Sequence, residues 1–355
     1  VLSLTDTSKH GTILEQISST LVRYASEEES MALIKQLEQD FPESAEVALA
    51  RARIASNYKQ YTIAEEAVDH ALALDPGSSD AAVLKFTLLL LQKKKQEAEA
   101  FAQAHLKINS DDTALRTSLA RHYLEGNKLK AADREYSIIY EQDETSIIAP
   151  MALGLIRMDA GEMNEASGFL ERVLELQPNN DMARIYLGDI ANQQKRLDDA
   201  AQWYRAVTDS EQLFNARLRL VNVIRKKDGA DAALRELEGI HPETPTQQTD
   251  IILLQNEILI ESDRVEEALE LINSALEDSP EGIDLLYARA MIAARREDVA
   301  ALEKDLLRIL DLKPGHTQSL NALGFTLADL TERYDEAYSL ISAALKQKPG
   351  DPFIL

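Results

Sequence analysis

The chain contains no cysteine, which excludes disulfides, thiolate metal sites and cysteine nucleophiles. Aromatic residues make up only 5% of its 355 positions, so the β-branched and aromatic alternation that strands favour has little to draw on. No apolar run approaches the roughly 20 residues that a helix needs to cross a bilayer; the richest, 86–91, is followed at once by Lys93, Lys94 and Lys95. Positive charge is scarce. Thirty-eight Lys and Arg face 61 Asp and Glu, a formal charge of −23 that repels phosphate backbones and anionic lipid and argues against nucleic-acid binding.

The motifs of chemistry are missing in the same way. Phosphate-cradling GxGxxG and GxxxxGK[ST] loops are absent. The six histidines, His10, His70, His105, His122, His241 and His316, are scattered and never form the HExxH pattern that sets two metal ligands on one helix face. Ser56 and Lys59 satisfy SxxK but have no companion SDN or KTG. The pairs Asp111–Asp112 and Asp198–Asp199 read as loop and cap residues. The sequence therefore predicts no catalytic residue, no metal site and no cofactor.

What is present is period. Hydrophobic residues supply 45% of the chain. The interval from Pro42 to Pro76 recurs from Pro280 to Pro314, and three further steps of it from Pro76 reach Pro178 through Ser110 and Glu144. The cleanest copy, 147–180, reads as two amphipathic helices joined at Ala160-Gly161-Glu162, with Gly154 and Ala166 where the helices approach and Leu153, Leu170 and Val173 on the apolar faces. A helix–turn–helix unit recurring every 34 or so positions is the signature of the tetratricopeptide repeat. Aligned copies follow at 45–78, 79–112, 113–146, 181–213, 214–243, 249–282, 283–316 and 317–351, after a degenerate unit at 11–44 whose second helix opens on the capping box Ser26-Glu27-Glu28-Glu29. Expected close-approach residues include Ala64, Ala98, Ala132, Gly188, Ala200, Ala233, Ala268, Gly324, Tyr334 and Ala337.

The expected fold is all-α, a right-handed superhelix of about nine such repeats. Three segments are expected: 1–44, 45–243 and 244–355. The second boundary falls where Pro242 and Pro245 shorten one repeat. Between Leu323 and Tyr334 the turn holds one residue too many. The chain opens at Val1 without a signal-like stretch and stops where another first helix is due, so a longer natural protein is expected.

In stacked repeats of this type the first helices line a groove, and helical geometry sends fixed register positions into it. In this sequence they are Val83, Leu90 and Leu91; Ile148, Met151, Leu155 and Met158; Met182, Ile185, Asp189 and Asn192; Leu253 and Glu257; Tyr287 and Met291; and Phe325. Apolar residues at positions that face water mark a partner-binding surface, and methionine adapts to varied partners. The alternative is a superhelix tight enough to pack them against its own turns. The basic clusters Lys93–Lys95, Lys195–Arg196, Arg225–Lys227 and Arg295–Arg296 sit at the ends of first helices, where they complement the helix dipole; a stripe for an acidic partner is the other reading.

The residues Leu320-Asn321-Ala322-Leu323-Gly324-Phe325-Thr326-Leu327-Ala328-Asp329, then Arg333-Tyr334-Asp335-Glu336-Ala337 and Pro349-Gly350-Asp351-Pro352, with the extra turn residue, resemble a segment of the tetratricopeptide lipoproteins anchored to the outer membrane of Gram-negative bacteria. Among these they are most similar to the adaptors that bind a carboxyl-terminal processing protease. The resemblance implies a non-catalytic periplasmic adaptor whose partners are that protease and its peptidoglycan-hydrolase substrates. It also implies membrane association only through a lipid anchor outside this sequence. A scaffold for assembling polysaccharide, pili or outer-membrane proteins is the alternative.

Overall fold

The computed structural model describes residues 10–208, 210–351 and 354. Twenty α-helices and no strand occur among them. They pair in sequence as ten hairpins: α1 (His10–Tyr24) with α2 (Glu27–Asp40), α3 (Ala45–Asn57) with α4 (Tyr61–Leu74), α5 (Ser79–Leu91) with α6 (Lys95–Ile108), α7 (Thr113–Glu125) with α8 (Leu129–Gln142), and α9 (Ile148–Asp159) with α10 (Met163–Leu176). The series continues with α11 (Asp181–Gln193) and α12 (Leu197–Arg205), α13 (Ser210–Asp228) and α14 (Ala230–Glu238), and α15 (Pro245–Glu261) and α16 (Val265–Asp278). It ends with α17 (Ile283–Arg295) and α18 (Val299–Leu312), then α19 (Thr317–Leu330) and α20 (Tyr334–Gln347). The side chain of His10, and Pro352, Phe353 and Leu355 at the end of the chain, lie outside the described residues.

One backbone feature recurs in the turn between first and second helices. Lys59, Lys93, Asn127, Gly161, Lys195, Gly229, Asp263 and Glu297 all have φ between 54° and 89° and follow one another at a single constant interval, the repeat length read from the prolines. This left-handed residue stops the first helix and lets the chain reverse within a few residues. The feature is absent from the first hairpin, between α1 and α2, and from the last, where Thr331 is extended because that turn carries the extra residue read from the sequence. Arg333 then caps α20, and Tyr334, expected at a close approach, is instead 62% exposed at the helix start.

First and second helices are capped differently. First helices open on a side chain that accepts the N–H three residues on: Ser44, Ser78, Asp112 and Asn180 for α3, α5, α7 and α11, and Ser146 for α9 at 3.3 Å. These caps recur at the same interval as the turns. Second helices α4, α6, α8, α10 and α16 have no such side-chain cap. In the degenerate first unit the capping box at Ser26 is complete, with Glu29 returning a bond to the Ser26 backbone.

Helices cross closely because small residues meet large ones. A Cβ on Gly188 would stand 2.5 Å from the Tyr204 ring, and one on Gly154 would stand 2.9 Å from Leu170. Ala64, Ala98, Ala132, Ala166, Ala200 and Ala268 are fully buried at the matching place in second helices. The second helices α12 and α14 have only nine residues each, yet the turn period survives, since α13 and α15 are lengthened to 19 and 17. Pro245 is therefore no loop residue; it occupies the first turn of α15 behind the Thr244 cap, the position where its missing N–H costs nothing.

The chain divides into two compact units between Pro178 and Asn179, away from the boundaries expected at 44 and 243. In the first unit Leu14 and Ile34 share a core with Val47 and Ile54, so the degenerate hairpin is not separate. In the second, Leu237 and Ile240 share a core with Ile251 and Leu254, so apolar packing bridges the two prolines. Two outcomes follow. Gly161→Ala should cost about 1 kcal/mol in a urea melt, the penalty of placing a Cβ in the left-handed region, whereas Glu297→Gly should be neutral or stabilising. Gly188→Ala should cost about 1–3 kcal/mol by overpacking.

Candidate functional site

In the first unit, Ile148 and Leu155 of α9 are 53% and 37% exposed and Leu91 of α5 is 52% exposed. Met151, Met158, Val83 and Leu90 are half-buried. Val83 and Leu90 pack on the core along α5 to α9. The same register on α7 supplies Thr117 and Leu124, also half-buried. First helices of this unit thus present apolar groups to solvent at the register positions that the sequence predicts, with methionines on α9.

The second unit treats the same positions differently. Met182 and Phe325 are exposed at 38% and 57%, and Leu253, Tyr287 and Met291 lie against the core. Ile185 is a correction. It is 4% exposed and packs with Val207 and Ala216, because the early start of α13 carries Ala216 over it. The polar candidates are occupied by neighbouring hairpins. Asp189 accepts the Tyr204 hydroxyl at 2.7 Å and pairs with Arg219; burial and that bond push the Tyr204 hydroxyl well above its ordinary range. Asn192 accepts from Lys226 at 3.0 Å, and Glu257 from Arg225 at 2.8 Å.

Three of the four basic clusters resolve the same way, while Arg196 pairs within its own hairpin with Asp199. Lys94 pairs with Glu65 at 3.2 Å, Arg296 with Glu266 at 3.4 Å, Arg295 with Asp263 at 3.2 Å, and Lys227 with Asp198. Arg264 reaches Asp231 at 2.8 Å, and Arg333 grips Glu303 with two bonds. Each cation reaches 29 to 33 residues back, to the preceding hairpin. Helix dipoles do not explain this alone, since a cation that suits the end of a first helix also sits at the start of the second. The two cluster lysines at the left-handed position, Lys93 and Lys195, serve the turn, as Lys59 does outside the clusters. This ladder is missed by reading each cluster alone; the recurring spacing between a turn cation and an earlier acid is its signal.

Two histidines are buried in comparable contacts. Ser79 donates to Asp112 Oδ1 at 2.6 Å, the Leu115 N–H adds a bond of 2.9 Å to the same oxygen, and His105 stands 3.4 Å from Oδ2. Serine, histidine and aspartate meet here, but the serine proton goes to the carboxylate and not to the imidazole, so no base activates the hydroxyl. The cluster joins hairpins. His122 packs edge-on to Phe86 and contacts Glu99 at 3.1 Å. No group of three or more histidines and carboxylates that could hold a metal occurs among the described residues. No described helix is long and apolar enough to cross a membrane.

Glu99 gives this ladder a pH dependence. Burial raises its carboxyl, but hydrogen bonds from Lys128 and His122 outweigh that and hold it below its ordinary value of 4.5. A carboxyl depressed on folding contributes stability that is present above the ordinary value and lost as pH falls through the folded one. Thermal melts of wild type and Glu99→Gln should therefore differ near neutrality and converge in acid, with the variant less stable by about 0.5–2 kcal/mol at pH 7.

Residues 151–212 match the family model described as tetratricopeptide repeat. A TPR repeat-containing protein of Pseudomonas aeruginosa is 38% identical over 175 residues, covering 49% of this chain and 30% of that protein. A DnaJ homolog subfamily C member 3 homolog of Dictyostelium discoideum is 24% identical over 232 residues, 65% of this chain and 42% of its own length. The chain thus spans less than half the length of these relatives. Among solved structures, the C-terminal part of a TPR repeat-containing protein from Cytophaga hutchinsonii aligns at 14% identity, with a TM-score of 0.45, over 87% of this chain and 98% of that one. Ten consecutive hairpins, eight of them closed by a turn that recurs at constant spacing, and the match at 151–212 give the chain a tetratricopeptide-repeat fold.

Proposed function

We propose that the chain is a non-catalytic adaptor of the bacterial periplasm that binds a carboxyl-terminal processing protease and holds substrates such as peptidoglycan hydrolases beside it. Tetratricopeptide repeats form protein-interaction scaffolds, and the observation that carries the proposal is the apolar first-helix face of the first unit. Ile148 and Leu155, with Leu91, stay at the surface although other side chains of this unit pair with neighbouring hairpins, as Lys94 does with Glu65, Lys128 with Glu99 and Arg157 with Asp133. Burying such a side chain under a partner contributes on the order of 1 kcal/mol or more, and flanking methionines adapt to the partner's shape. The sequence resemblance at 320–352 supports the identity of the partner. The adaptor acts by tethering, which turns the meeting of protease and substrate into an intramolecular event.

The triple substitution Met151→Ser, Leu155→Ser, Met158→Ser tests this. Calorimetric titration with a purified carboxyl-terminal processing protease should show at least about a tenfold loss of affinity, the scale of one hot-spot residue, while the helical circular-dichroism signal is kept. Unchanged affinity would sink the proposal, and loss of the helical signal would assign the three residues to the core.

A further inference from the structure

The cleft among α16, α17 and α18 departs from its counterparts. At the register position of Arg289 five other hairpins place Leu119, Leu153, Leu187, Val221 and Leu323, while Arg51, Lys85 and Gln255 occupy it in three. At the position of Asp305 stand Phe101, Phe169, Trp203, Leu237, Leu271 and Leu340, with Glu135 the one other acid, so only this hairpin places a cation at the first position and an acid at the second. Here the guanidinium donates from Nε and Nη2 to both Asp305 oxygens, at 2.7 and 2.8 Å, and from Nη1 to Asn273 at 2.9 Å. The Asp305 side chain is only 5% exposed. An ion pair whose carboxylate is buried, at positions where leucine or an aromatic packs in most sister hairpins, is a poor stability device, because desolvation offsets its attraction.

The pair borders a cavity of about 230 Å³ with Leu269, Ile292 and Ala301 on its walls and the exposed cations Arg296 and Lys304 also lining it. Both carboxylates in the lining are engaged: Asp305 by Arg289, and Asp298 as the cap of α18, accepting the Ala301 N–H at 3.1 Å. Lys304 makes no ion pair among the described residues, and Arg296 has one long contact to the 74%-exposed Glu266. Three of the five N–H donors of Arg289 are used. One hairpin earlier the corresponding cleft carries Gln255, Glu267 and Glu270 at the positions of Arg289, Ala301 and Lys304. The sign of the cleft is reversed at this hairpin, in a chain of net charge −23.

We propose that this cleft binds an apolar carboxylate. Its acid group meets Lys304, Arg296 and the remaining donors of Arg289, and its branched aliphatic group lies on Leu269, Ile292 and Ala301. The cavity is smaller than the ~300–1,000 Å³ of sites for drug-sized ligands, so it takes a single side chain with its carboxylate. Two sources share that chemistry, the C-terminal residue of a polypeptide and a free short-chain acid. The site shares no residue with the first-helix face of the first unit, so either can fail without the other.

Calorimetric titration of the intact chain with N-acetyl-leucine, isocaproate and N-acetyl-leucinamide tests it. N-acetyl-leucine should saturate the protein, with the uncharged amide weaker by at least about tenfold, as for loss of a charge-assisted bond. Lys304→Met and Lys304→Glu, the latter reproducing the charge of Glu270, should each cut acid binding about tenfold with the melt unchanged. N-acetyl-leucine binding more tightly than isocaproate supports the cleft as a reader of polypeptide C-termini; equal binding supports it as a site for small acids. Equal binding of acid and amide, indifference to both Lys304 variants, or no saturation by either acid overturns it.

Discussion

The reversal between the first and second helix of each hairpin sets everything else. Eight turns hold one residue in the left-handed region, each one repeat length from the next, and this fixes where each helix pair starts and which faces meet. Gly161 and Gly229 take the conformation freely; Lys59, Lys93, Asn127, Lys195, Asp263 and Glu297 take it against the preference of L-residues. That they do so in register shows the stacking to be worth more than the strain. The same constraint explains why α12 and α14 can be short, since α13 and α15 lengthen to keep the turns in step.

Once register is fixed, charge serves the stack. The ladder from turn cations to acids of the preceding hairpin, as in Lys128 to Glu99 and Arg333 to Glu303, joins exposed or half-exposed groups. Each pair contributes only about 0.2–1 kcal/mol, but the ladder specifies which hairpin follows which. Its consequence for function is indirect. Asp189, Asn192 and Glu257 on first helices of the second unit are taken by neighbours, whereas Leu91, Ile148 and Leu155 of the first unit stay exposed to a partner.

Much of this is legible in the sequence, and what is not has a physical reason. The repeat period, the small residues Gly154, Ala166, Gly188 and Ala200, the Ser26 capping box and the extra residue before Tyr334 are local or periodic, and spacing reveals them. The burial of Ile185 depends on where α13 begins, which the short α12 decides. The engagement of Asp189 and Asn192 depends on the reach of Arg219 and Lys226 from the next hairpin, and that of Glu257 on Arg225 from the preceding one, which a register reading treats as independent. Arg289 and Asp305 stand out only beside the leucines and aromatics of sister hairpins. The prolines at 242 and 245 suggest a boundary because a list of breakers does not show that Thr244 caps a longer helix.

The central claim is that the turn register leaves the first-helix face of the first unit as the surface that meets a protein partner. Hydrogen–deuterium exchange of the chain with and without the carboxyl-terminal processing protease tests it most directly. The account predicts slowed exchange in Ser79–Leu91 and Ile148–Asp159 on binding, with Lys95–Ile108 and Met163–Leu176 unchanged. Protection confined to those second helices, with Ile148–Asp159 unaffected in a complex that forms, would contradict it.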